Sequence, residues 1–223
     1  MSRMPGRALQ TLALCLLCLC SRPAEAGSLA GSVVGVVGQA FVDRSGQRSG
    51  LRLGDPVFVD DAFTVPAGAK LKLRMNDGSV LSLAENTTLR IDIYVLNSYG
   101  QRQSAVMSLG GGLIRAITAP GSQPSLFEVN TAVGTSGARS TDWFSGVLTA
   151  SPPPGSRLSG TPPGSAYVVV LSGTVALTSR ATGRSVLIQP SYGSEVVPGQ
   201  DPHPPVLHTQ AELDRLTART EVR

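Results

Sequence analysis

The sequence predicts an all-β protein of many short antiparallel strands, arranged as a sandwich or β-roll, with a short C-terminal helix. Three observations carry this expectation. Leu71, Leu73 and Met75 alternate with Lys70, Lys72 and Arg74, which places apolar side chains on one sheet face and cations on the other. Asn76-Asp77-Gly78 separates this run from Val80, Leu81 and Leu83, and Asp-Gly between two such runs signals a hairpin closed by a tight primed turn. Turn formers recur about every ten residues, and no long helical period precedes residue 208.

At the N-terminus, Arg3 and Arg7 precede an apolar run from Ala8 to Cys20, followed by Ser21-Arg22-Pro23-Ala24-Glu25-Ala26. A basic start, an apolar stretch short of the ~20 residues a spanning helix needs and a small-x-small triplet predict a signal peptide. Cleavage is expected after Ala26, leaving a periplasmic or secreted chain that begins at Gly27 and inserts stably in no membrane. Retention of the run as an anchor is the alternative. Cys15, Cys18 and Cys20 all lie in this leader, each after a Leu where a lipobox carries a small residue. The mature chain then has no thiol, which excludes disulfides, a cysteine nucleophile and thiolate metal sites. Loss of Arg3, Arg7, Arg22 and Glu25 lowers the formal charge from +4 to +2. Lys70, Lys72 and Arg74 form the only tight basic row, read as a polar sheet face, and a single Trp offers no stacking platform, so no nucleic-acid partner is expected.

Within residues 27–200, read as one β domain, strands are expected at Ser32–Val37, Gln39–Asp43, Leu71–Met75, Val80–Leu83, Thr88–Ile93, Ala105–Leu109 and Leu113–Ile117. Further strands are expected at Leu126–Thr131, Trp143–Leu148, Tyr167–Leu171, Thr174–Thr178, Ser185–Ile188 and Glu195–Val197. Ser45-Gly46, Ala67-Gly68, Gly110-Gly111-Gly112, Ser172-Gly173 and Thr182-Gly183 supply turns between them. Ala150–Ser165 is rich in Pro, Gly and Ser, and reads as an exposed inserted loop, because proline lacks the donor a ladder needs. Residues 201–208 hold Asp-Pro-His-Pro-Pro and read as a stiff spacer that ends the β domain. In the tail, 209–223, Thr209 and Glu212 make a capping box, and Leu213 and Leu216 share one face of a short helix. That face packs either on the sheet or on a partner.

Little chemistry is added to this scaffold. The two histidines, His203 and His208, sit in or beside the spacer and read as solvated side chains, with no metal-ligand spacing and no cofactor expected. Gly134-Thr135-Ser136-Gly137 lacks the nucleophile-elbow spacing, and the histidines are remote from it. Asp60 and Asp61, as strand neighbours, would point to opposite faces and could not share a substrate. Asn86-Thr87-Thr88 matches a glycan acceptor in sequence only. No catalytic, cofactor or metal residue is assigned, and the chain is read as no enzyme.

A set of short motifs follows a fixed order along the chain. It runs from Val36-Val37-Gly38 through Leu51-Arg52-Leu53-Gly54-Asp55-Pro56-Val57 to Asp61-Ala62-Phe63-Thr64. The hairpin ending Asn76-Asp77-Gly78-Ser79-Val80-Leu81-Ser82-Leu83 follows, then Asn86-Thr87-Thr88-Leu89 and Leu109-Gly110-Gly111-Gly112-Leu113-Ile114-Arg115. Phe127-Glu128-Val129-Asn130-Thr131 and the run from Gly134 to Phe144 close a signature region of about 31–148. This order resembles a FecR-type domain of the bacterial envelope, and the resemblance implies a periplasmic signalling or protein-interaction module, whose best-known relatives couple a siderophore receptor to a sigma factor. Those regulators carry a cytoplasmic sigma-holding segment; this chain has Met1–Arg7 ahead of its apolar run and reads as a stand-alone exported member. Its expected partner is another envelope protein, a receptor or membrane sensor, met through an exposed sheet edge or the Ala150–Ser165 loop. The alternative is a carbohydrate- or peptidoglycan-binding protein using Tyr94, Tyr99, Tyr167 or Tyr192. A hydrolase with an unrecognised site is the remaining reading. Phe127, Trp143 and Phe144 read as core fillers.

Overall fold

Residues 27–120, 125–152 and 156–222 are described by this computed structural model; the leader with its three cysteines lies outside them, as do residues 153–155 of the Pro-rich loop. The strands are β1 (Leu29–Val37), β2 (Phe41–Arg44), β3 (Gln47–Gly50), β4 (Pro56–Phe58), β5 (Ala62–Val65), β6 (Lys70–Met75), β7 (Val80–Leu83) and β8 (Thr87–Leu96). They continue as β9 (Arg102–Ile117), β10 (Leu126–Asn130), β11 (Gly134–Ala138), β12 (Asp142–Val147), β13 (Ala166–Ser172), β14 (Val175–Ser179), β15 (Ser185–Ile188), β16 (Tyr192–Val196) and β17 (Val206–Leu207). One helix, α1 (Gln210–Thr220), follows.

Two sheets share a strand. Sheet A runs β4-β1-β6-β7-β9-β12-β13-β16-β17. Sheet B runs β3-β2-β5-β8-β9-β10-β11-β14-β15. The 16-residue β9 belongs to both: its first part lies between β8 and β10, and Gly112–Ile117 lies between β7 and β12. The chain passes back and forth between the sheets, so the apolar faces of both strand sets meet. Phe63, Leu71, Leu73, Met75, Ile91, Met107, Phe127, Val129 and Trp143 fill the interior. Phe127 meets Trp143 edge-on, with ring centroids 5.4 Å apart and planes at 88°, the geometry that brings a positive ring edge to a negative face.

The all-β expectation holds, and several details differ from it. Gly110-Gly111-Gly112 is not a turn but the bend within β9, with Gly112 at φ 85° where the strand changes sheets. The pairing of β10 with β9 is parallel, so the sheets are not wholly antiparallel. The Asp-Gly hairpin is not a primed turn. The Gly78 N–H donates to Met75 O and the Met75 N–H to Ser79 O, and only Gly78 has positive φ, which is a type I turn closed by a glycine bulge. Asp60 is not a strand residue; at φ 72° it occupies the turn before β5. The exposed β3 escaped notice because Gln47-Arg48-Ser49-Gly50 has no apolar alternation to read.

The helix packs on the outer face of sheet A. The capping box forms, with Thr209 and Glu212 satisfying each other's backbone N–H groups. Leu213 is buried with Ala84, Leu113, Phe144, Tyr167 and Val169 in a second apolar cluster, and Leu216 packs against it. Lys70 Nζ donates to Ala218 O at 2.7 Å and to Glu221 O at 3.0 Å, placing a cation where the helix presents its carbonyls. One member of the basic row thus anchors α1.

Candidate functional site

Residues 201–208 do not stand away from the domain. Pro202 bridges to Val196, and β17 pairs with β16, so the segment runs along the edge of sheet A. This places both histidines against protein groups. His203 Nδ1 lies 3.0 Å from Glu195 Oε1, and Glu195 Oε2 accepts from Thr161 Oγ1 at 3.0 Å. The His208 side chain is only 12% exposed, so it is not solvated as the sequence suggested. Its Nδ1 has no hydrogen-bond partner among the described residues and lies 3.8 Å from Glu212 Oε2. Burial pushes the His208 imidazole below its ordinary value, the nearby Arg157 adds to this, and Glu212 opposes it. The close approach needs glycine opposite: a Cβ on Gly193 would lie 2.5 Å from His208 Nε2.

Glu212 joins the helix to the inserted loop. Its carboxylate accepts Arg157 Nε and Nη2, each at 3.0 Å, and the Thr209 N–H at 2.8 Å. These bonds, Arg157 first, hold the carboxyl down at about 2. Together the loop from Val147, the helix and the outer face of sheet A enclose a cleft of about 640 Å³. Leu148, Leu158, Val169, Val206 and Leu216 make its apolar wall, and Arg157, Arg215 and Arg219 line it together with Glu85, Glu195 and Glu212. Most described residues of the Pro-rich loop are exposed, as expected, while Ser156, Arg157 and Leu158 also line the cleft. Among the described residues no group of three or more His, Cys, Asp and Glu could hold a metal ion. Ser194 Oγ donates to the His203 backbone carbonyl at 2.6 Å rather than to the ring, so the adjacent serine and histidine form no proton relay.

Other polar residues singled out by sequence have structural places. Tyr94 and Tyr167 are buried, and only Tyr99, in the turn after β8, and Tyr192, on β16, reach the surface, so the four tyrosines form no shared groove. The Tyr94 hydroxyl donates to Asp77 at 3.0 Å and accepts the Asp77 N–H at 2.7 Å. Asp61 is fully buried and takes Arg44 in two bonds, at 2.6 and 2.7 Å, while Asp60 pairs with Arg90 at the surface. Asp142 receives Arg115 at 2.9 and 2.7 Å. Asp77 pairs with the buried Arg102. Sequence reasoning missed these Arg–Asp pairs, since each joins residues 17 to 30 positions apart with no motif between them. No helix among the described residues is long and apolar enough to cross a membrane.

Residues 61–176, just over half of the chain, match the sequence model of the family described as FecR protein. No curated protein matches the chain. Among solved structures, one from Parabacteroides distasonis, provisionally assigned as an anti-sigma factor, superposes with a TM-score of 0.51 at 12% identity. It matches 69% of this chain, and the match spans 62% of that protein's length. A second structure so described from the same organism gives a TM-score of 0.50 at the same identity and coverage. At that identity the likeness shows a shared fold.

Proposed function

The chain belongs to the FecR protein family, and from that premise we propose that it is a non-enzymatic signalling or protein-interaction module of the bacterial envelope. The family match over residues 61–176 carries this reading; the provisional anti-sigma assignment of proteins with the same fold supports it. The leader exports the chain and is removed after Ala26, so the mature protein begins at Gly27 in the periplasm. There it binds another envelope protein, a receptor or membrane sensor. The cleft under α1 suits an apolar protein segment, because Leu148, Leu158, Val169, Val206 and Leu216 make its wall. No cofactor or nucleic acid takes part. Tyr94, Tyr167 and Trp143 are buried while Tyr99 and Tyr192 are exposed, which favours a protein partner over a carbohydrate held on an aromatic platform.

The test is in-cell crosslinking of the tagged chain in a bacterial envelope, with Leu216→Glu beside the parent, read by mass spectrometry. One receptor or sensor enriched with the parent and lost with the variant is the expected result. Recovery of cell-wall fragments, or of no specific protein, overturns the reading. Intact-mass measurement of the exported chain checks the leader: a species starting at Gly27 is expected, and one retaining Met1 refutes cleavage.

A further inference from the structure

Among the described residues, four strands end the two sheets: β4 and β17 in sheet A, β3 and β15 in sheet B. An open edge offers unpaired N–H and C=O groups to any extended chain, and folded proteins guard edges with proline, charge or brevity. Three of these edges are guarded. Pro56 opens β4, where Arg44 donates to Pro56 O at 3.0 Å and Asp61 takes the Phe58 N–H at 2.8 Å. β17 is two residues long and follows Pro204-Pro205. β3 carries the charged Arg48. β15 has none of these: Ser185-Val186-Leu187-Ile188 holds no charge and no proline, and Leu187 is 68% exposed. Among the described residues, its backbone bonds go to β14 alone.

We propose that β15 pairs antiparallel with β15 of a second copy of this chain, about a two-fold axis at Leu187. The Ser179 N–H donates to Arg184 O, which sets the alternation along the strand. Arg184, Val186 and Ile188 direct their peptide groups to β14, and Ser185 and Leu187 direct theirs to the open side. Two Leu187 residues brought face to face therefore exchange both N–H···O bonds. The side chains agree with the same axis. Ser185-Val186-Leu187-Ile188-Gln189 reads polar, β-branched, Leu, β-branched, polar from either end. Val186 then opposes Ile188 on the inner face, where Ile188 is already buried, and Leu187 opposes Leu187 on the outer face. A slip of one residue would set Val186 against Leu187 from opposite faces, so the register is specified. The second copy is the occupant that such a self-complementary edge fits, and pairing continues sheet B across the axis. The contact is short, with Gly183 before it and Pro190 after it, so association is reversible and depends on concentration.

Sedimentation equilibrium of the full chain across low to high micromolar concentration tests this. A monomer–dimer equilibrium is expected for the parent, weakened at least about tenfold by Leu187→Lys, which sets two cations against each other at the axis. Leu187→Pro removes an N–H that bonds nothing inside the monomer and is expected to abolish the dimer. Ser49→Lys, on β3, is expected to leave it unchanged. Thermal unfolding checks that each variant is folded, and should the proline variant fail to fold, the lysine variant decides. A parent that is monomeric throughout, or a dimer indifferent to Leu187→Lys, or one weakened by Ser49→Lys instead, overturns the proposal. A monomeric parent that still captures an envelope protein would overturn self-pairing and leave the partner-binding reading standing.

Discussion

Arg102 and Asp77 form an ion pair sealed inside the protein, with side-chain exposures of 0% and 1%. The pair ties the turn between β6 and β7 to the first residue of β9. Arg102 also donates to Ser79 Oγ at 2.9 Å and to Ala119 O at 3.0 Å, and lies 5.2 Å from the centre of the Phe127 ring. Ser79 and the Tyr94 hydroxyl occupy the remaining oxygen sites of Asp77, so the buried carboxylate is fully bonded. Burying two charges costs solvation, and removing one strands the other in a dry interior. Asp77→Ala is therefore expected to destabilise the fold by about 3–5 kcal/mol in urea unfolding. Adding Arg102→Met should recover part of that loss. A double variant as unstable as the single one would show that packing around the guanidinium, not its stranded charge, sets the cost.

Trp143 is the only tryptophan of the sequence, and it is fully buried against the edge of Phe127. Its fluorescence is expected to be blue-shifted in the native protein and to move to the red in one step on unfolding. Trp143→Ala opens a large cavity between the two sheets and is expected to cost about 3–5 kcal/mol. Far-UV circular dichroism during heating measures that loss through a lowered midpoint.

Gly112 carries the transfer of β9 from sheet B to sheet A. At φ 85° it adopts a conformation unfavourable to other residues, and a Cβ there would meet Thr87 Oγ1 at 2.4 Å and Asn86 O at 2.5 Å. Thr87 Oγ1 in turn accepts the Leu113 N–H at 3.1 Å, so it has little room to yield. Gly112→Ala is expected to cost at least about 2 kcal/mol through strain and clash together. Gly46→Ala, where φ is 80° and nothing lies within 4 Å, should cost less and isolates the backbone part. Equal losses in the two variants would refute the close-approach argument.

Acid is expected to loosen the docking of α1 in two stages. His208 titrates below its ordinary 6.5 in the folded chain, so the unfolded chain takes up its proton first. Its contribution is complete above pH 6.5 and is lost as pH falls below that. Glu212 sits near 2 instead of 4.5, so its contribution is complete above 4.5 and is lost between 4.5 and about 2. Hydrogen exchange at the amides of Leu213–Ala218 measures this, and their protection factors, corrected for the pH dependence of intrinsic exchange, should fall on acidification. His208→Gln is expected to flatten the upper stage, and Glu212→Gln the lower. The same profile in both variants and the parent would exclude these two groups as the cause.

Much of the fold was legible because strand patterning is local. The alternation at Leu71–Met75, the apolar run of β13 and the capping box at Thr209 and Glu212 each identify an element from neighbours in sequence. Phe127, Trp143 and Phe144 were recognisable as core for their size alone, and all three are fully buried. The cleft was legible only in pieces. Leu216 and Glu212 belong to the predicted helix, yet Arg157 and His208 gave no sign that they would meet there. His208 in particular is defined by Gly193, a residue without a side chain on another strand.

Short-range chemistry therefore decided the strands, their turns and the helix with its cap, because hydrogen-bond geometry and side-chain alternation act between neighbouring residues. Three-dimensional packing alone decided the rest. It brought Arg102 to Asp77 and Arg115 to Asp142, made a bend rather than a turn of Gly110-Gly111-Gly112, laid β10 parallel to β9 and seated α1 on Lys70. Such contacts join residues that only the closing of two sheets over one core makes neighbours. Their energies come from desolvation and shape, which are properties of the assembled interior and leave no period in the chain.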